Sequence, residues 1–232
     1  MTFGSNYVAH DRRFAPSPER ARVMDRSRSP TRKILASDTG NAASAAPSIP
    51  PVKCWVFAKP VGPPDGTVQT VQLSFKSEPI GLRLEGVHSP FDASSLDGNP
   101  RKTLTLRLTK QWEEAFECME ACLLERVANN SQEVLGRDLP AEQVQEMYKS
   151  VCKKTGEYPA NLRVKVNTTG AYPTRYWNTD KTRADPPEDH ACATYNARVI
   201  LRALWLAEDA WGLVCDATDL QSDSGVDAEC PF

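Results

Sequence analysis

Asn161-Leu-Arg-Val-Lys-Val-Asn167 is the stretch whose alternation decides the architecture. Leu162, Val164 and Val166 fall on one side of an extended chain, and Arg163 and Lys165 fall on the other. Such a period-2 pattern is that of a strand with one face in a core and one in water. Working outward, the same reading extends over most of the middle of the chain. Residues 53–58 (KCWVFA) are apolar, aromatic or β-branched and read as a strand. Val71, Leu73 and Phe75, then Ile80, Leu82 and Leu84, then Leu104, Leu106 and Leu108 alternate in the same way. Residues 86–102 are rich in Gly, Pro, Ser, Asp and Asn and read as a long loop. A helix follows over about 110–130, with Thr109 at its start and Trp112, Phe116, Met119, Leu123 and Val127 at helical spacing. A second helix follows Asp138-Leu-Pro140, with Val144, Met147, Tyr148 and Val151 as its apolar face. Beyond the stretch 161–167 lie a polar loop, 168–191, a strand, 194–206, a turn at Glu208-Asp209 and a last strand, 211–220.

The order strands, helices, strands predicts a mainly β, α+β domain. An OB-like β-barrel with a helical insertion between strands fits it better than an alternating βαβ sheet. Three segments are expected: a basic Ser/Arg/Pro-rich arm, 1–50, an OB-like domain, 51–220, and an acidic tail, 221–232. The arm has too little apolar periodicity to order itself. Its RSRSP run sets Ser27 and Ser29 among arginines, a phosphorylatable pattern.

Net charge is −2, from 28 Lys and Arg against 30 Asp and Glu in 232 residues. That total excludes a uniformly basic nucleic-acid binder, but the charge is not spread evenly. The arm carries eight basic and four acidic side chains. The segment 153–183 carries seven basic side chains against Glu157 and Asp180, and residues 216–232 carry five acids and no base. A near-neutral total therefore hides two basic blocks and an acidic one.

No apolar run reaches the ~18 residues of a membrane span. The first residues lack the apolar core of a secretory signal, although the Arg-rich residues 1–33 leave an organelle address open. Seven cysteines at irregular spacing, with no CxxC pair, read as buried thiols of a reducing compartment. Neither a metal site nor a cofactor is expected. Signatures of a P-loop, a GxSxG elbow and an HExxH zinc site are all missing, and Asp189-His190 near Cys192 is the one nucleophile-like grouping. No enzymatic activity is expected.

Arg163 and Lys165 stand ~6–7 Å apart along their strand, from a rise of ~3.3 Å per residue, which approaches the phosphate spacing of an extended nucleic-acid strand. Arg198 and Arg202 lie on the outward side of a later strand. The loop between them offers Tyr172, Tyr176 and Trp177 with Arg175, Lys181 and Arg183. Rings on which bases stack, beside cations that follow phosphates, are the requirement for sequence-tolerant binding of single-stranded nucleic acid. The alternative is that Tyr176 and Trp177 fold back onto the core and leave the cations as a solvated rim. At the end of the tail, Phe232 after Pro231 offers a ring and a free carboxylate. Asp223, Asp227 and Glu229 would steer it toward a basic-rimmed pocket of a partner protein. The tail could also lie on the chain's own basic patch.

The tail ending in Cys230-Pro231-Phe232 resembles the acidic tip of bacterial single-stranded-DNA-binding proteins, with a cysteine where an aliphatic residue precedes the proline there. The body resembles the single-stranded-DNA-binding proteins of phages and of large DNA viruses of eukaryotes. The resemblance rests on three stretches. They are the Leu104–Leu108 strand leading into a long helix, Tyr158-Pro-Ala-Asn-Leu-Arg-Val-Lys-Val166, and Ala197-Arg-Val-Ile-Leu-Arg-Ala-Leu-Trp-Leu206 followed by Trp211-Gly-Leu213. It implies an OB fold, a role in replication, recombination or repair, and a tail that recruits replication or repair proteins. By position it implies Arg163, Lys165, Tyr176 and Trp177 on the DNA surface and Asp227, Glu229 and Phe232 at the partner contact. The implied setting is a nucleus or a viral replication site, with self-association into a homo-oligomer left open. Two other classes stay open: an RNA-binding or splicing-linked protein, favoured by the RSRSP arm, and an interaction scaffold without nucleic acid.

Overall fold

Residues 47–62, 68–95 and 100–223 are described by the computed structural model. The expected arm up to residue 46, and Asp227, Glu229, Pro231 and Phe232 of the tail, lie outside the described residues. A 3-10 turn, Val52–Cys54, leads into strands β1 (Trp55–Phe57), β2 (Gln69–Phe75), β3 (Ile80–His88) and β4 (Arg101–Arg107). Three helices follow, α1 (Lys110–Asn129), α2 (Ser131–Leu135) and α3 (Ala141–Met147). The chain then returns to strands: β5 (Tyr148–Lys149), β6 (Cys152–Lys153), β7 (Asn161–Asn167), β8 (Arg175–Trp177), β9 (Arg183–Ala184), β10 (Thr194–Leu206) and β11 (Trp211–Ser222). The molecule is mainly β, with its helices inserted between strands, as the alternation predicts.

Five strands pair in a cycle: β10 with β3, β3 with β4, β4 with β7, β7 with β11, and β11 back with β10. All of these pairings are antiparallel except β7 with β11. Two links of the cycle are narrow, His88 with Arg107 and Lys165 with Asp216. In β4, β7, the first half of β3 and most of β10 the inward set is the one the alternation predicts; near its end β10 shifts phase, so that Leu204 and Leu206 are buried and Trp205 is half-buried. Leu104, Leu106, Leu162, Val164, Val166, Val199 and Leu201 are all fully buried. The α1 stripe of Trp112, Phe116, Met119, Leu123 and Val127 joins the same apolar core. Burial of each such large side chain contributes about 1.5–3 kcal/mol relative to leaving it in water.

Polar groups fix how the helices meet the strands. Arg126 of α1 donates to the carbonyls of Val52 and Trp55 and so ties the helix to the start of β1. Glu120 accepts from the Tyr148 hydroxyl at 2.7 Å, from Ser150 and from the Val151 backbone N–H. These bonds explain why the second helix stops early. Tyr148 and Val151, expected on its apolar face, fall beyond α3. Tyr148 instead pairs in β5 beside Trp211, with ring centroids 4.6 Å apart. Gly212 makes that approach feasible, because a Cβ there would sit 2.7 Å from the Lys149 carbonyl oxygen.

Other boundaries differ from the sequence reading for equally local reasons. Lys53 and Cys54 belong to the 3-10 turn, so β1 is three residues long. β3 runs on to His88 and β4 starts at Arg101, which shortens the loop expected over 86–102. The loop expected over 168–191 contains β8 and β9, which pair with each other and, through β8, with β11. Cys54, Cys118 and Cys122 are exposed, against the expectation of buried thiols, whereas Cys215 is buried and its thiol is held protonated by that burial. Among the described residues no helix is long and apolar enough to cross a membrane.

Candidate nucleic-acid interface

The outward face of β3, β10, β11 and β8 is organised by register. Arg83 on β3 lies beside Arg198 on β10, Arg198 beside Asp219 on β11, and Asp219 beside Arg175 on β8. One row along, Asn196 lies beside Gln221, Gln221 beside Trp177, and Trp177 beside Arg183 on β9. In the opposite direction, Ile200 lies beside Asp216, Asp216 beside Lys165 on β7, and Lys165 beside Thr103 on β4. Strict alternation would put Asp216 and Asp219 on opposite faces. A β-bulge between Arg198 and Val199 leaves Thr218 without a counterpart, and this brings both aspartates to the outer face. A second irregularity at Arg202 turns its side chain toward Asp216.

The carboxylates on this face hold arginines in place. Asp216 is only 7% exposed and pairs with Arg101 at 2.5 Å and with Arg202 at 3.0 Å. Asp219 pairs with Arg175 at 2.8 Å, its Oδ1 accepts the Trp177 ring N–H at 2.9 Å, and its Oδ2 accepts the Thr218 hydroxyl at 3.0 Å. Burial alone would raise the Asp219 pKa, but the bonds from Arg175, Trp177 and Thr218 outweigh it and hold the carboxyl below its usual range. Lys165 is half-buried and donates to Thr103 at 2.7 Å. Burial, and then the Arg101 charge, lowers its pKa.

Two clefts open on this face. The first, of about 820 Å³, is lined by Tyr172, Arg175, Arg183, Arg202 and Asp216 among others. The second, of about 620 Å³, is lined by Arg83, Glu85, Trp177, Lys181, Asn196, Arg198, Asp219 and Gln221 among others. Trp177 joins them. Its ring lines the second cleft, while Arg175 and Arg183, which line the first, place their guanidinium carbons 5.8 and 5.4 Å from the ring centroid. Contacts of this kind are cation–π attractions. Arg83 and Arg198 face each other across adjacent strands and make no ion pair among the described residues. Like charges directly opposite each other cost stability, and a bound anion would offset that cost.

The structure brings together most of the residues that the sequence singles out. Arg175, Trp177, Lys181, Arg183, Arg198 and Arg202 line the two clefts. Lys165 adjoins them through Asp216, and Arg163 stands exposed two residues farther along β7. Tyr172 is 89% exposed at the rim of the first cleft. Tyr176 is the exception. It points inward, is 4% exposed, and sits in a buried cluster with His190 and Tyr195. Its hydroxyl lies 3.5 Å from His190 Nε2, and His190 Nδ1 lies 2.9 Å from the Tyr195 hydroxyl. Burial pushes the Tyr176 pKa up to about 12 and lowers that of His190. Neighbours on a strand face opposite ways, so Tyr176 and Trp177 could not both be exposed. His190 is thereby a core residue. Of the tail residues, Asp223 is described: it is exposed, and its backbone N–H donates to the Thr194 carbonyl.

Sequence reasoning missed Arg83, Arg101, Asp216, Asp219, Asn196 and Gln221. Arg83 was within reach, because Ile80, Leu82 and Leu84 point inward and put Gly81, Arg83 and Glu85 outside. Asp216 and Asp219 carried no such signal, because the bulge between them breaks the period.

No protein-family model matches the sequence, and no curated protein does. Among solved structures, the chain is similar to the single-stranded DNA-binding protein from bacteriophage Enc34 in complex with ssDNA, at 11% identity and a TM-score of 0.42 over 71% of this chain and 94% of that one. A C-terminal truncation of the same phage protein gives 12% identity and a TM-score of 0.42 over 73% and 95%.

Proposed function

We propose that this chain is a non-catalytic protein that binds single-stranded DNA across the outer face of β10, β11, β8 and β7. The observation that carries the reading is Trp177. Its ring is pinned by Asp219, lines the second cation-lined cleft and lies against Arg175 and Arg183 of the first. A ring of that kind gives bases a stacking surface, and the cations on either side track the phosphates. Tyr172 supplies a second, fully accessible ring. A duplex buries its base faces and would leave both rings without a role. The cyclic pairing of β3, β4, β7, β11 and β10, with a single parallel link, supports an OB-like barrel as the scaffold.

On this reading the chain protects single strands during replication, recombination or repair, in a nucleus or at a viral replication site. The acidic segment from Asp223 onward recruits partner proteins. A fluorescence titration of end-labelled oligo-dT, matched duplex and RNA with the protein tests the ligand. Tight oligo-dT binding that weakens steeply with salt supports it. Equal affinity for duplex refutes it, and a strong preference for RNA replaces DNA with RNA as the ligand.

A further inference from the structure

We infer that the second cleft seats one nucleotide and reads the hydrogen-bonding edge of its base, so that discrimination against duplex comes from edge contacts as well as from stacking. The inference deepens the single-strand reading and rests on it. Asn196 and Gln221 lie side by side on β10 and β11, and Gln221 lies beside Trp177. The Asn196 side-chain carbonyl accepts the Gly86 backbone N–H at 2.9 Å, and Gly86 takes a left-handed φ of 60° to present it. That bond fixes the Asn196 amide and turns its NH2 group away from the Gly86 backbone. The Gln221 NH2 donates to the carbonyls of Asn178 and Thr179, at 3.2 and 3.3 Å, and this fixes its oxygen as the remaining acceptor. Asn196 and Gln221, each anchored by one half of its amide, both line the cleft that Trp177 walls, and the halves left over are a donor and an acceptor. Every base carries such a complementary pair on its Watson–Crick edge, and in a duplex that edge is already occupied. Arg83, Lys181 and Arg198 make no ion pair among the described residues, and they supply the charge for the flanking phosphates. The cleft volume, about 620 Å³, lies within the usual range for small-ligand sites, about 300–1,000 Å³.

The test compares oligo-dT with an oligonucleotide of the same length built from N3-methylthymine, whose edge is blocked but whose ring and phosphates remain. The wild-type protein is expected to bind the blocked strand about 3–10-fold more weakly, as one or two lost hydrogen bonds dictate. Asn196→Ala and Gln221→Met should reduce that ratio toward one, with thermal unfolding confirming that each variant folds. Equal affinity of the wild-type protein for the two strands, with oligo-dT still bound tightly, overturns the edge-reading inference and leaves single-strand binding in place. Failure to bind either strand overturns both.

Discussion

The two clefts share a surface and differ in how their cations are held. In the first, Arg175 and Arg202 are tied to Asp219 and Asp216, so two of its three arginines are partly cancelled before any ligand arrives, and Arg183 makes no ion pair among the described residues. In the second, Arg83, Lys181 and Arg198 make no ion pair among the described residues. A tied arginine contributes direction and shape, whereas an untied one contributes long-range attraction and counterion release. The difference assigns positioning mainly to the first cleft and phosphate capture to the second, whose Trp177 is held by two arginines of the first.

The sharpest way to break this picture is at the adjacent pair Tyr176 and Trp177, which the sequence could not separate. Tyr176→Ala removes a buried ring and should lower folding stability by about 3–5 kcal/mol in chemical denaturation. A loss below 1 kcal/mol would show that Tyr176 is not a core residue. Trp177→Ala should lower stability less than Tyr176→Ala, because it removes the Asp219 bond and two cation–π contacts but no core ring, and should cost about 1–3 kcal/mol of oligo-dT affinity, read by titration of an end-labelled oligonucleotide. Unchanged affinity would remove the ring from the interface.

Smaller effects separate the clefts themselves. Arg198→Ala should lower the slope of log affinity against log salt concentration by about 0.7, the value of one phosphate contact on a single strand. Arg202→Ala should lower it less, because Asp216 already neutralises that side chain. Equal slopes for the two variants would erase the distinction between tied and untied arginines. The smallest effect concerns pH. Burial lowers the His190 pKa in the folded state below 6.5, so the folded protein binds fewer protons there than the unfolded chain. The stability seen with neutral His190 is full above pH 6.5 and falls as the pH drops through and below that value. His190→Gln should flatten this segment of the stability profile, and an unchanged slope would place its origin elsewhere.

Much of the fold was legible because inward and outward residues alternate without interruption in β4, β7 and the first half of β3. The α1 stripe was legible for the same reason at helical period. Legibility failed where a partner distant in sequence set the conformation. Glu120 draws Tyr148 and Ser150 out of a helix that the local pattern would have continued. β8 forms in a polar stretch because β11 offers it a free edge at Asp219, Leu220 and Gln221.

The sequence by itself determined which residue types meet at this surface. Arginines, two lysines, a tryptophan and a tyrosine sit in and beside strands whose apolar positions are committed to a core, and that commitment forces the charged positions outward. Only the tertiary structure decided which of two neighbouring rings faces out, which arginines are tied, and that Asn196, Gln221 and Trp177 share one cleft. Cross-strand register and a bulged residue set those outcomes. Both depend on pairing between segments far apart in the chain, where no local period carries the information.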